Sequence, residues 1–203
     1  MRTLTEQKKN EILDAASSVF LEQGYERASM DSVAKKAGCS KATLYNYFAS
    51  KESLFEAVVR SYSTNYLTRA AAELKGRDQD ASTLREKLQR FGEGMLAVTT
   101  SDWKALQLYR MVVGEAGHSD IGELFYESGV SESMNALTKV MEHHIGKGDL
   151  TESSPVLRAK QFSALLKAET DALFLRRKMP DYTKNDVARM VGSAVDLFIK
   201  GAG

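Results

Sequence analysis

Ser29–Lys51, SMDSVAKKAGCSKATLYNYFASK, decides how this chain folds. Ser29 is of the type that caps a helix N-terminus, and Asp31 lies where the positive end of that helix favours a carboxylate. Met30, Val33, Ala34 and Ala37 recur at the i, i+3, i+4, i+7 spacing of a buried stripe. Gly38 supplies the left-handed backbone that ends such a helix, and Ser40 caps a second short one, Lys41 to Tyr47. The spacing therefore predicts a helix-turn-helix. In this unit the second helix enters a DNA major groove while residues at its ends hold phosphates. Lys41 and Lys51 each fall just inside a predicted helix start, where the dipole disfavours a cation. A phosphate docked on the unpaired N–H groups explains that placement, and a pair of solvated surface lysines is the alternative.

The longer stretch GYERASMDSVAKKAGCSKATLYNYFASKESLFEAV resembles the N-terminal DNA-binding region of the tetracycline-repressor-like (TetR/AcrR) transcriptional regulators, over roughly Glu6 to Tyr62. The Gly24-Tyr25 turn, Val33-Ala34 with Ala37-Gly38, and the run from Ser40 to Phe48 followed by Lys51-Glu52-Ser53-Leu54 carry the resemblance. Ala42 departs slightly from the glycine or small residue often found at its position, which bears on DNA preference. The resemblance implies a DNA-reading set of Ser29, Ser40, Lys41, Ala42, Thr43, Tyr45, Asn46, Tyr47 and Lys51. Helical spacing leaves Thr43, Asn46 and Tyr47 outward and turns Leu44, Tyr45 and Phe48 toward the core.

Charge does not itself announce nucleic acid. The 203 residues carry a formal net charge of +1, so a DNA-binding reading rests on where a few lysines and tyrosines sit. A single cysteine, Cys39, excludes an intramolecular disulfide framework and fits a reducing cytosol. The opening MRTLTEQKKN has no apolar core, and no apolar run approaches the ~18 residues of a membrane span, so a cytoplasmic protein is expected. No Gly-rich phosphate loop and no G-x-S-x-G is present. Adjacent His143 and His144 would point about 100° apart on a helix, without the geometry of paired metal ligands. Hence no catalytic residue, cofactor or metal is expected.

The rest of the chain reads as all-α, about nine helices in total. The first runs from a Thr5 cap to Gln23 on a stripe of Ile12, Leu13, Ala16, Val19 and Phe20. With the two short helices it forms a three-helix helix-turn-helix domain, residues 1–50. A fourth helix, Lys51 to about Leu74, would join this head to a helical effector-binding and dimerisation domain, residues 51–203. After the polar break KGRDQD from Lys75, Thr83 and Glu86 form a capping box for the fifth. The sixth follows Asp102 and the seventh runs from Ser119 to Gly146. The eighth begins at Ser154-Pro155 and would reach Lys178, and the ninth opens at Thr183. Large soft and aromatic groups collect in the fourth to seventh helices. Tyr62, Tyr66, Met95, Trp103, Tyr109, Phe125, Tyr126 and Met134 are candidates to line a ligand pocket, with ordinary core packing as the alternative. Arg110, Glu115, His118 and Glu169 lie nearest these stripes and are expected to be solvated. Phe162, Leu166, Leu173, Val187, Val191, Val195 and Phe198 are candidates for a homodimer seam, since two apolar helices at the chain end need a covering surface.

The resemblance thus implies a homodimeric regulator, most simply a repressor, on pseudo-palindromic double-stranded operator DNA, released by a small hydrophobic or aromatic effector. A ligand-independent DNA-binding regulator and a helical enzyme or carrier are the alternatives.

Overall fold

The computed structural model describes residues 5–75, 83–178 and 180–203, and all regular structure among them is helical. The helices are α1 (Glu6–Gln23), α2 (Met30–Lys36), α3 (Lys41–Tyr47), α4 (Lys51–Val59), α5 (Asn65–Lys75), α6 (Leu84–Thr100), α7 (Trp103–Glu115), α8 (Ile121–Phe125), α9 (Ser131–Gly146), α10 (Pro155–Lys167) and α11 (Lys184–Ala202). Two π turns, Arg60–Thr64 and Tyr126–Val130, join α4 to α5 and α8 to α9. The predicted fourth helix is therefore one helical run with an i→i+5 defect inside, whereas the predicted seventh is broken by a kink at Gly129, whose backbone (φ 179°, ψ −33°) is not helical. The expected break after Lys75 lies outside the described residues.

Side-chain caps set the boundaries. Thr5, Ser29, Ser40, Ser50, Thr83, Asp102, Ser154 and Thr183 each accept from a backbone N–H of the first turn. Each satisfies one of the donors a helix start leaves without an intrahelical partner. Gly24 (φ 79°) and Gly38 (φ 59°) stand at the two turns where the backbone enters the left-handed region.

Two cores result. The first joins α1, α2 and α3 to α4, with Phe55 edge-on to both Phe20 and Tyr25 at 5.0 Å. Leu108, Val112, Ile121 and Phe125 of α7 and α8 belong to the same core, so the N-terminal head is packed directly on the body. The second core lies among α5, α6, α9, α10 and α11. The helices there approach closely: a methyl added at Gly94 would meet the Cβ of Ala70 at 2.9 Å, and one at Gly92 would meet Val191 Cγ1 at 2.6 Å.

The chain-end helices differ from the sequence reading. Phe162, Leu166, Val191, Val195 and Phe198 are buried inside the second core, Leu173 is buried too, and Val187 packs against that core. All but the half-buried Val187 are covered by their own chain. The apolar stripe read as an interface is the intrachain one, because α10 and α11 cover α6 and each other. Nor does α10 reach Lys178: it ends at Lys167, and a 3-10 turn, Asp171–Leu175, follows. The half-buried guanidinium of Arg110 donates Nη2 to the carbonyls of Leu173 and Arg176. This satisfies acceptors that a continued helix would have paired within itself.

Candidate nucleic-acid interface and ligand cavity

The head presents α3 to solvent. Ser40 Oγ accepts from Thr43 N at 3.0 Å and lies 2.8 Å from Thr43 Oγ1, fixing the first turn. Lys41, Ala42, Tyr45 and Asn46 are exposed, Thr43 and Tyr47 half-buried, and Leu44 and Phe48 buried. Tyr45 is 50 % exposed, against the expectation that it faces the core. A seven-residue helix at 100° per residue turns one narrow row inward. Leu44 and Phe48, four apart, fill that row, and Tyr45 lies a sixth of a turn beyond it.

Tyr47 closes the helix pair onto α1. Its hydroxyl accepts from Thr5 N at 2.8 Å, so the phenol holds the start of α1 against the end of α3. Between them runs a groove of about 570 Å³ bordered by Gln7, Lys8, Gly38, Ser40, Thr43 and Asn46. Lys8 donates to the carbonyl of Ala37 at 3.1 Å, completing the α2 end. This contribution of Thr5 and Lys8 has no signal in the Ser29–Lys51 motif.

The two lysines at helix starts are engaged. Lys41 pairs with Asp31, both largely exposed. Lys51 donates to the carbonyls of Tyr25 (3.1 Å) and Glu26 (3.4 Å), with its ammonium 4.2 Å from the Tyr25 ring centroid. Glu52 beside it is held below the ordinary carboxylate range. Backbone N–H donation at the start of α4 is the main cause, helped by Ser50 and by Tyr25, whose hydroxyl donates at 3.3 Å. Burial together with that carboxylate raises the phenol of Tyr25.

In the body, α5, α6, α7, α9, α10 and the 3-10 turn enclose a cavity of about 410 Å³. Of the residues singled out from sequence, Met95, Tyr109, Phe125, Tyr126 and Met134 line it. Tyr109 stands at its aromatic wall, 5.2 Å from the ring of Phe125 and 5.1 Å edge-on to Phe174. Burial raises its phenol. Thr99, Thr138 and Thr170 also line it, and each donates to a carbonyl on its own helix or turn. Ser163, only 7 % exposed, and Tyr109 have no hydrogen-bond partner among the described residues. The α10 wall, with Val156, Lys160, Ser163 and Lys167, and Phe174 beyond it went unread because that helix looked like a dimer seam.

Two expected wall residues are elsewhere. Trp103 is the first residue of α7, 45 % exposed, with the Arg110 guanidinium 5.6 Å from its ring. The buried face of α7 runs through Ala105, Leu106, Leu108 and Val112, which leaves position 103 at the rim. Tyr62 turns toward the head, donating to Asp14 Oδ1 at 2.5 Å and accepting from Ser17 Oγ at 3.4 Å. The side chain of Tyr66 lies outside those described. Glu169 pairs with Arg189, His118 is exposed, and His144 bonds Asp149 at 2.7 Å with the His143 ring edge-on to it. No described helix is long and apolar enough to cross a membrane.

The family model for bacterial regulatory proteins of the tetR family matches residues 12–58. That for the C-terminal domain of AefR-like transcriptional repressors matches residues 86–201. The HTH-type transcriptional activator FasR of Mycolicibacterium smegmatis is 34% identical over 86 residues, an alignment covering 42% of this chain and 39% of FasR. This chain therefore aligns with about two fifths of that relative's length. Among solved structures, the flavonoid-responsive regulator FrrA superposes with TM-score 0.73 at 30% identity, covering 97% of both chains. The transcriptional regulator FadR from Bacillus subtilis, in complex with stearoyl-CoA, superposes with TM-score 0.74 at 20% identity, covering 96% of this chain and 99% of that one. At that identity it speaks for the fold alone.

Proposed function

The chain belongs to the tetR family of bacterial regulatory proteins, and we propose that it works as a homodimeric repressor controlled by a small hydrophobic or aromatic effector. Residues 1–50 form the DNA-binding part, and 51–203 hold the effector and pair two copies. Each α3 enters the major groove of one half of a pseudo-palindromic operator. Ala42, Tyr45 and Asn46 face base edges. Ser29, Ser40, Lys41, Thr43, Tyr47 and Lys51 position the phosphate backbone, Tyr47 and Lys51 chiefly by holding α3 and α4 in place. Nothing in this reading asks for a catalytic step.

The observation that carries the control is a shared wall. Phe125 belongs to the head core and lines the cavity, and Tyr109 packs on that core from the same cavity. A ligand that displaces these rings must repack the seat of α1 and α4. FadR was solved with stearoyl-CoA and FrrA is described as flavonoid-responsive. Both chemistries have large apolar parts, as an apolar cavity requires.

Selection of bound duplexes from a random pool supplies the operator, and its release by compounds identifies the effector. Coupling of about 1–3 kcal/mol corresponds to roughly 5- to 150-fold weaker operator binding. Linkage requires the operator to weaken effector binding by the same factor. Equal effector affinity with and without operator would refute the control. A ligand-independent regulator would show no saturable binding at all.

A further inference from the structure

The cavity's chemistry is divided unevenly. Its threonines have their hydroxyls tied to carbonyls of their own helices or turn. Ser163 is buried midway along α10, where a serine hydroxyl ordinarily bonds back to the preceding turn, yet it has no partner among the described residues. Tyr109 presents a second hydroxyl without a partner there, on a ring packed between Phe125 and Phe174. Among the described residues the fully enclosed side-chain atoms without a partner are Gln107 Nε2, Arg110 Nε and Arg158 Nε, so the Ser163 and Tyr109 hydroxyls are open to the cavity they line. Two hydroxyls facing one apolar cavity are therefore sockets for polar groups of what fills it.

We infer that the effector is a planar aromatic compound carrying hydroxyl or carbonyl groups, with Tyr109 and Ser163 as the residues that select it. This rests on reading the cavity as the effector site, and it names the ligand class. Aromatic walls suit a flat ring system, which packs offset or edge-on against Tyr109, Phe125 and Phe174. A saturated acyl chain fills the same volume but pairs with neither hydroxyl. The carboxylate at the end of such a chain is drawn first to the ammonium groups of Lys160 and Lys167, exposed side chains at the cavity's edge. A pairing made at that exposed edge contributes little.

The test is calorimetric titration of the full chain with flavone, a set of its monohydroxy isomers, and palmitate. The same titrations are repeated on Tyr109→Phe and Ser163→Ala, with thermal melts showing that both variants fold. The expected result is that the tightest hydroxyflavone binds wild type about tenfold better than flavone, the scale of one hydrogen bond. That preference should collapse in at least one variant, and palmitate should bind more weakly. Palmitate binding as tightly as the hydroxyflavone, with neither variant changing the preference, would overturn the ligand class while leaving the effector site standing. Failure of every probe to bind, with Ser163→Trp leaving the protein folded and operator release unaltered, would overturn both.

Discussion

Gly92→Ala is expected to destabilise the protein although alanine is the better helix former. Gly92 is buried in α6 where that helix meets α10 and α11. The added methyl would lie 2.6 Å and 3.3 Å from the two γ-carbons of Val191 and 2.7 Å from Leu166 Cδ2. Carbon atoms rest at about 3.5–4.0 Å, so two contacts are about an ångström too short. Leu166 can rotate its terminal methyls, but it is only 3 % exposed. Val191 is fully buried, and a helical valine has essentially one χ1 choice. Overpacking of this kind costs about 1–3 kcal/mol, against a propensity gain of about 1 kcal/mol. A net loss of up to about 2 kcal/mol lowers Tm by up to about 8 °C for a chain of this size. Gly114→Ala is the control: it is exposed in α7, nothing lies within 4 Å of its new methyl, and Tm should rise by about 1–4 °C. Circular-dichroism melts at one protein concentration measure both, because Tm of an oligomer depends on concentration. Adding Val191→Ala to Gly92→Ala removes the clashing carbons, so the double variant should lose less than the two single losses combined. If Gly92→Ala melted as high as Gly114→Ala, close helix approach would not be what demands glycine there.

Asn46→Ala and Tyr45→Ala should weaken operator binding in fluorescence anisotropy with Tm within about 2 °C of wild type, because both side chains are outward on α3; a large fall in Tm would show that they support the head instead. Lys51→Ala should lower Tm as well as affinity on every sequence, since the ammonium fixes the Tyr25 and Glu26 carbonyls, and affinity lost at unchanged Tm would return it to a pure phosphate contact. Leu197→Glu, at a 61 % exposed position of α11, should split the proposed homodimer in light scattering with the fold intact, whereas Val191→Glu should unfold the chain, being buried within it. Glu52 has a depressed folded pKa, so its contribution is present at neutral pH and is lost as pH falls through and below about 4, the ordinary range for glutamate. Glu52→Gln should therefore flatten the acid limb of a stability–pH curve, and an unchanged limb would refute its role.

Much of the fold was legible because capping is local chemistry. Ser29, Ser40, Ser50, Thr83 and Thr183 cap the helices their neighbours announced, since the donors that need them lie two or three residues away. What escaped depends on partners distant in sequence. The stripe from Val187 to Phe198 marks a buried face and cannot say whether the same chain or a second copy buries it. Phe174 reaches the cavity from the 3-10 turn that follows the end of α10 at Lys167, a turn whose carbonyls are held by Arg110 from more than sixty residues earlier. Aromatic content located the cavity approximately. Trp103 and Tyr62 share its helical runs but not its face.

The two π turns give the molecule something like a gear with discrete teeth. A π turn is an α-helix holding one residue too many, and each residue of an α-helix carries about 100° of rotation and 1.5 Å of advance. Deleting one residue within Arg60–Thr64 would restore the ordinary register. Everything N-terminal to it would then turn by about a quarter of a revolution against the body, and the first core, which spans the joint through Leu108, Val112, Ile121 and Phe125, would have to repack. The angle at which the head meets the body is in this way tied to a single surplus residue.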